Sequence, residues 1–300
     1  MKTRCSLLTL LAGFAVAAAP AAESPPPPPA GAGENFVLAR AAHRVTVRYF
    51  SPPGATPQTP VVLVMHGVKR NGEDYLNDWI PLARARHFLV VVPEFSLAEF
   101  PGNEGYIYGN TVDAAGHAIP REQWAFSMIE PVFDAVCERT GNRSERYSLY
   151  GHSAGAQFVQ RFVYFVPDAR LARVVSANAG WYMLPDLATP FPYGLKGTPV
   201  GADDLRHALA LPLVVLLGTA DTDPTDKLLR HTPEADAQGP FRFARGQFFF
   251  AHAEDAARAL HTTLGWRLAT APGVGHSDKG MAPFAVDSLL PDAAHQTHHP

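Results

Sequence analysis

The chain has 300 residues, 47% of them hydrophobic and 18% charged, with a formal net charge of −3 at neutral pH. That length and composition suit one globular domain with a sizeable core, or two small ones. So small a charge gives no electrostatic reason to expect nucleic acid or an acidic surface as a partner.

Lys2 and Arg4 precede an apolar run from Leu7 to Ala19, and Ala19-Pro20-Ala21 has the small-x-small pattern of a cleavage site. Residues 1–21 therefore read as a secretory signal peptide. The run is short for a transmembrane helix, and no later segment is long enough to span a bilayer. The protein is expected to be exported, periplasmic or secreted, with no stable membrane insertion. Residues 22–35 contain "SPPPPPAGAG" and read as a linker that cannot build a core. Cys5 lies inside the signal, which leaves Cys137 without a partner for an internal disulfide. Its place on the apolar side of a predicted helix predicts packing rather than reactivity.

"HRVTVRYF" (43–50) alternates and predicts a half-buried strand, whereas "PVVLVMHG" (60–67) is a continuous apolar run, as in a strand buried on both faces. "DYLNDWIPLARARH" (74–87) has helical spacing with Pro81 as an interruption, and "FLVVVPEF" (88–95) is another buried strand. A glycine- and aromatic-rich loop follows at 100–110. Apolar residues at Trp124, Met128, Ile129, Val132, Phe133 and Val136 predict a helix over 121–141, kinked at Pro131. Strands are predicted at 146–151, 171–180, 211–221 and 266–273, and helices at 154–165, 252–265 and 280–290. From residue 60 onward strands alternate with helices. This predicts an α/β fold with a mostly parallel twisted sheet, helices on both faces, and ligands at the carboxyl ends of the strands. The tail 293–300, with "HQTHHP", reads as disordered.

"YGHSAGAQF" (150–158) places Ser153 between Gly151 and Gly155, at the junction of a predicted strand and helix. A sharp strand–turn–helix elbow needs bare positions two residues either side of its apex, where side chains would collide. Such a turn exposes the serine hydroxyl and turns the N–H of Ala154 toward a substrate. A serine is a weak nucleophile at neutral pH, so it needs a base and a group to orient that base. In nucleophile-elbow enzymes these follow in the order Ser, Asp or Glu, His. Of 13 histidines, His276 in "APGVGHSDKG" is the one just past the final strand, and it is the expected base. In "VVLLGTADTDPTD", Asp221, Asp223 and Asp226 compete as the acid. Asp221 is expected because it comes first after the strand, with Asp223 as the alternative. The second oxyanion donor is expected from the N–H of Val68, after "MHG". An aromatic, proline-rich segment at 180–197 suggests a short cap. Trp181 and Tyr182 are expected to line a pocket, with Tyr106 and Tyr108 from the other side.

With "HGVKRNGEDY", "GHSAG", "GTADTD" and "GVGHS" in this order, the chain resembles the α/β-hydrolase superfamily over nearly all of residues 36–292. Within it the chain is similar to exported poly(3-hydroxybutyrate) depolymerase-like and feruloyl or acetylxylan esterases. The resemblance implies a serine hydrolase that cleaves a small or oligomeric carboxylic ester through an acyl-enzyme, with no cofactor and no metal. A peptidase or acyltransferase of the same fold, or a non-catalytic binding protein on this scaffold, are the alternatives.

Overall fold

The computed structural model describes residues 33–113 and 115–290. The expected signal peptide, most of the expected linker and the expected tail lie outside the described residues. Eight strands form one sheet: β1 (Glu34–Arg40), β2 (His43–Phe50), β3 (Val61–Met65), β4 (Leu89–Glu94), β5 (Tyr147–His152), β6 (Leu171–Ala177), β7 (Leu213–Gly218) and β8 (Arg267–Ala271). Their order is β1-β2-β4-β3-β5-β6-β7-β8. β1 pairs with β2, and β2 with β4, antiparallel; every later neighbour is parallel.

The helices are α1 (Gly72–Arg86), α2 (Gly102–Gly105), α3 (Ile129–Thr140), α4 (Ala154–Phe165), α5 (Ala202–Ala210), α6 (Pro233–Asp236), α7 (Arg242–Ala259) and α8 (Asp278–Leu289). α1 and α8 cover one face of the sheet, where Trp79 and Met281 pack against Val62 and Tyr150. α3, α4 and α7 cover the other, where Phe133, Phe158 and Phe249 pack against Leu63 and Leu149. Both sides of the sheet are thus dry, which is why β3 and β7 read as unbroken apolar runs. Among the described residues no helix is long and apolar enough to cross a membrane.

Three expectations differ from the structure. β1 was expected to be partly linker. It pairs with β2 across a tight turn at Ala41 and Ala42, where Ala41 has a φ of 50°. α1 runs through Pro81 without interruption. The proline stands on the exposed face, where water can serve the carbonyl that it leaves unpaired. The helix predicted over 121–141 begins as two short 3₁₀ turns, Arg121–Gln123 and Phe126–Met128, before α3. Pro131 then falls in the first turn of α3, where no intrahelical N–H bond is lost. Cys137 is half-buried and packs against the core.

Candidate active site

Ser153 sits between β5 and α4 with φ 58° and ψ −116°, a conformation that costs about 1–3 kcal/mol in a non-glycine residue. The flanking glycines make it attainable. A Cβ on Gly151 would lie 2.2 Å from the carbonyl oxygen of Gly155, and one on Gly155 would lie 2.0 Å from that of Met65. The N–H of Ser153 donates to Ala177 at the end of β6, which fixes the apex to the sheet.

The structure brings Ser153, His276 and Asp221 into one hydrogen-bonded line. His276 Nε2 is 2.9 Å from Ser153 Oγ, and His276 Nδ1 is 2.8 Å from Asp221 Oδ2. Asp221 is buried, and its N–H closes the turn back to Gly218. The guanidinium of Arg242, also buried, reaches the other oxygen of Asp221 at 3.3 Å and Asp226 Oδ2 at 2.8 Å. Asp226 therefore faces Arg242 rather than the histidine. Asp223 is exposed and accepts from the N–H and hydroxyl of Thr225, bonds that hold its carboxyl below the usual range. It is a solvated turn residue.

The loop that carries His276 is pinned to the strand ends. Asn178 accepts from the N–H of Gly218 at 2.7 Å and donates to Gly275 at 3.1 Å, while Ala220 donates to Val274. A side chain on Gly218 would strike Val274, so the loop passes directly over the end of β7.

Ala154 is the first residue of α4, so its N–H has no intrahelical partner and sits at the positive end of the helix dipole. Opposite it, the N–H of Arg70 donates to Gly67 and closes a turn over 67–70. The N–H of Val68 is left outside that bond. Behind the turn, Nδ1 of His66 donates to the carbonyl of Gly67 at 3.0 Å, and Nε2 of His66 accepts from the N–H of Phe95 at 3.0 Å. Burial pushes His66 down to about 3, so its ring is neutral. Tyr75 bonds to Nδ1 of His152 at 3.0 Å, and the His152 ring lies 4.8 Å from that of His276. Burial also holds His152 well below the ordinary histidine range.

A cavity of about 450 Å³ opens over Ser153 and His276. Gly67, Val68, Tyr75, His152 and Leu228 form part of its wall. The aromatic pocket expected from the sequence is not there. Tyr106 is fully buried behind the oxyanion turn, stacked on His66 with its hydroxyl donating to the His66 carbonyl. Tyr108 and Trp181 pack edge to face, with the buried guanidinium of Arg161 over both rings. Tyr182 stacks on Phe249. These rings gain more by filling the interior than by lining an open cleft. Sequence reasoning also missed His66, Tyr75, His152, Asn178 and Arg242. The partners of Tyr75, His152, Asn178 and Arg242 lie 21 to 97 residues away, and His66 is fixed from Phe95, 29 residues on, so nothing local marks them.

The arrangement holds a hydroxyl against an imidazole that is oriented by a buried carboxylate, next to two free N–H donors. It can transfer an acyl group. No family model and no curated protein matches the chain. Among solved structures, poly(aspartic acid) hydrolase-1 from Sphingomonas sp. KT-1 is 45% identical, with a TM-score of 0.84, over 86% of this chain and 98% of that one. LpqC, a poly(3-hydroxybutyrate) depolymerase from Bordetella parapertussis, is 36% identical, with a TM-score of 0.77, over 84% and 87%. An S-formylglutathione hydrolase from Agrobacterium tumefaciens shares the fold at 15% identity, with a TM-score of 0.54 over 86% and 95%. The chain is a hydrolase and belongs to the α/β-hydrolase superfamily, among its depolymerase-like members.

Proposed function

We propose that the protein is an exported serine hydrolase that cleaves carboxylic esters through an acyl-enzyme. Ser153 Oγ attacks the ester carbonyl while His276 Nε2 takes its proton. Asp221 keeps the proton on Nδ1 and stabilises the imidazolium. The N–H groups of Val68 and Ala154 hold the negative oxygen of the tetrahedral intermediate. His276 then gives the proton to the departing alcohol. Water, deprotonated by the same ring, releases the acid and restores the serine. Each step is an acyl or proton transfer among these groups, so the cycle calls for no cofactor. The observation that carries the reading is the unbroken line from Asp221 through His276 to Ser153. Export rests on the leader at 1–21.

The charges around the cavity favour a neutral substrate. Asp226 is paired with Arg242, and burial lifts Asp278 to about 7. That leaves Asp74 and Asp78 against Lys69 and Lys279, a balanced set with no strong pull on a polyanion or a polycation. The identity with a poly(aspartic acid) hydrolase favours a second reading, amide cleavage in an anionic polymer. A panel of p-nitrophenyl esters, poly(3-hydroxybutyrate) oligomers and poly(aspartic acid) separates the two. Ester turnover that exceeds amide turnover by orders of magnitude supports the first reading. Turnover of poly(aspartic acid) with inert esters would replace it with the second.

A further inference from the structure

Six large apolar side chains are exposed among the described residues, and two of them, Val68 and Leu228, line the cavity over Ser153. Leu228 is the most exposed of the six, at 60%. Its position is built. Asp226 Oδ1 accepts the N–H of Leu228 at 2.7 Å, and the carbonyl of Asp226 accepts the N–H of Leu229. The neighbouring Leu229 is buried and anchors the turn. Asp226 Oδ2 is in turn tied to Arg242, the same guanidinium that reaches Asp221. The turn that holds Leu228 out in water is thus braced on the carboxylate that orients His276. A leucine kept in solvent forgoes burial, and a loose loop would fold it inward. Here hydrogen bonds oppose that, beside the reacting serine.

The side of the site follows from the chemistry. The leaving oxygen has to come within reach of His276 Nε2 to be protonated. Asp226 is tied to the guanidinium that also reaches the carboxylate holding His276, and Asp226, Leu228 and His276 line the same cavity, which places the Asp226–Leu228 turn on the imidazole side. Val68 belongs instead to the oxyanion turn.

We propose that Leu228 is a specificity-determining residue that binds the apolar alcohol portion of the ester, so the preferred substrates carry an aliphatic or aromatic leaving group rather than a charged one. The inference rests on the ester-hydrolase reading above. Its test compares kcat/KM across an alcohol series, ethyl and hexyl butyrate, and an acyl series, p-nitrophenyl acetate and hexanoate. Wild type, Leu228→Ser and Leu228→Met are each measured. The hexyl-to-ethyl ratio should fall about fivefold in Leu228→Ser and stay within about twofold of wild type in Leu228→Met. The acyl ratio should not move in either variant. A hexyl-to-ethyl ratio unchanged by Leu228→Ser, or an equal fall in the acyl ratio, would overturn the assignment. Ser153→Ala keeps the two claims apart. Ester turnover that survives in it, or wild type inert toward every ester, removes the underlying reading. Ser153-dependent turnover with an unmoved alcohol ratio removes only the role of Leu228.

Discussion

The Nδ1–H of His66 donates to the carbonyl oxygen of Gly67 at 3.0 Å, and that carbonyl shares a peptide plane with the N–H of Val68. Fixing one end of the plane aims the other. The Phe95 N–H on Nε2 fixes the tautomer, and Tyr106 stacked on the ring fixes its tilt. His66→Phe should therefore lower kcat by about 10–10²-fold with a smaller change in KM, as for the loss of an oxyanion donor. Because burial holds His66 neutral down to about 3, the loss should be the same at pH 5.5 and pH 8.5. A loss that grows or shrinks across this range would show that the ring titrates.

Of the three carboxylates after β7, only Asp221 meets the imidazole. Asp221→Asn should reduce kcat by about 10³–10⁴-fold, since the wrong tautomer then faces the serine. Asp223→Asn should stay within about threefold of wild type, as for a surface substitution away from the site. Steady-state kinetics on p-nitrophenyl butyrate distinguish them, and a reversed order would displace Asp221.

The elbow tolerates no Cβ at its flanks. Gly155→Ala would drive a methyl into the backbone of Met65, which cannot yield without moving β3. The variant should lose at least about 3 kcal/mol of stability or fail to accumulate folded. Thermal unfolding near the wild-type midpoint would mean that the turn relaxes in a way the close contact forbids.

Asp278 accepts from Tyr150 and Trp79 in a buried site, and burial lifts it to about 7. The unfolded chain releases this proton near pH 4, before the folded protein does. Stability from this group is therefore full below about pH 4 and is lost as pH rises to about 7. Asp278→Asn does not titrate. Its deficit relative to wild type should shrink by about 3 kcal/mol between pH 5 and pH 8, measured by urea unfolding. A deficit constant with pH would show that Asp278 ionises normally.

β3 and β7 are legible in the sequence because burial on both faces demands unbroken apolar runs. Ser153 and His276 are legible because an elbow and a post-strand loop have local turn chemistry. β1 escapes because it is an edge strand that alternates weakly and turns on alanines rather than glycine. The first ten residues of α7 escape because Arg242 and Arg245 are buried there, and buried cations break the apolar stripe. The aromatic residues fail as pocket markers for a related reason. Composition tells that a ring will be buried, not whether its neighbour is a ligand or Arg161.

The central claim is that Ser153 is the nucleophile. The most direct test is intact mass and peptide mapping after treatment with a fluorophosphonate, in wild type and in Ser153→Ala. One adduct, on Ser153, with complete loss of ester hydrolysis and no adduct in the variant, is the outcome predicted here. An adduct on another residue, or hydrolysis that continues once Ser153 is modified, would contradict it.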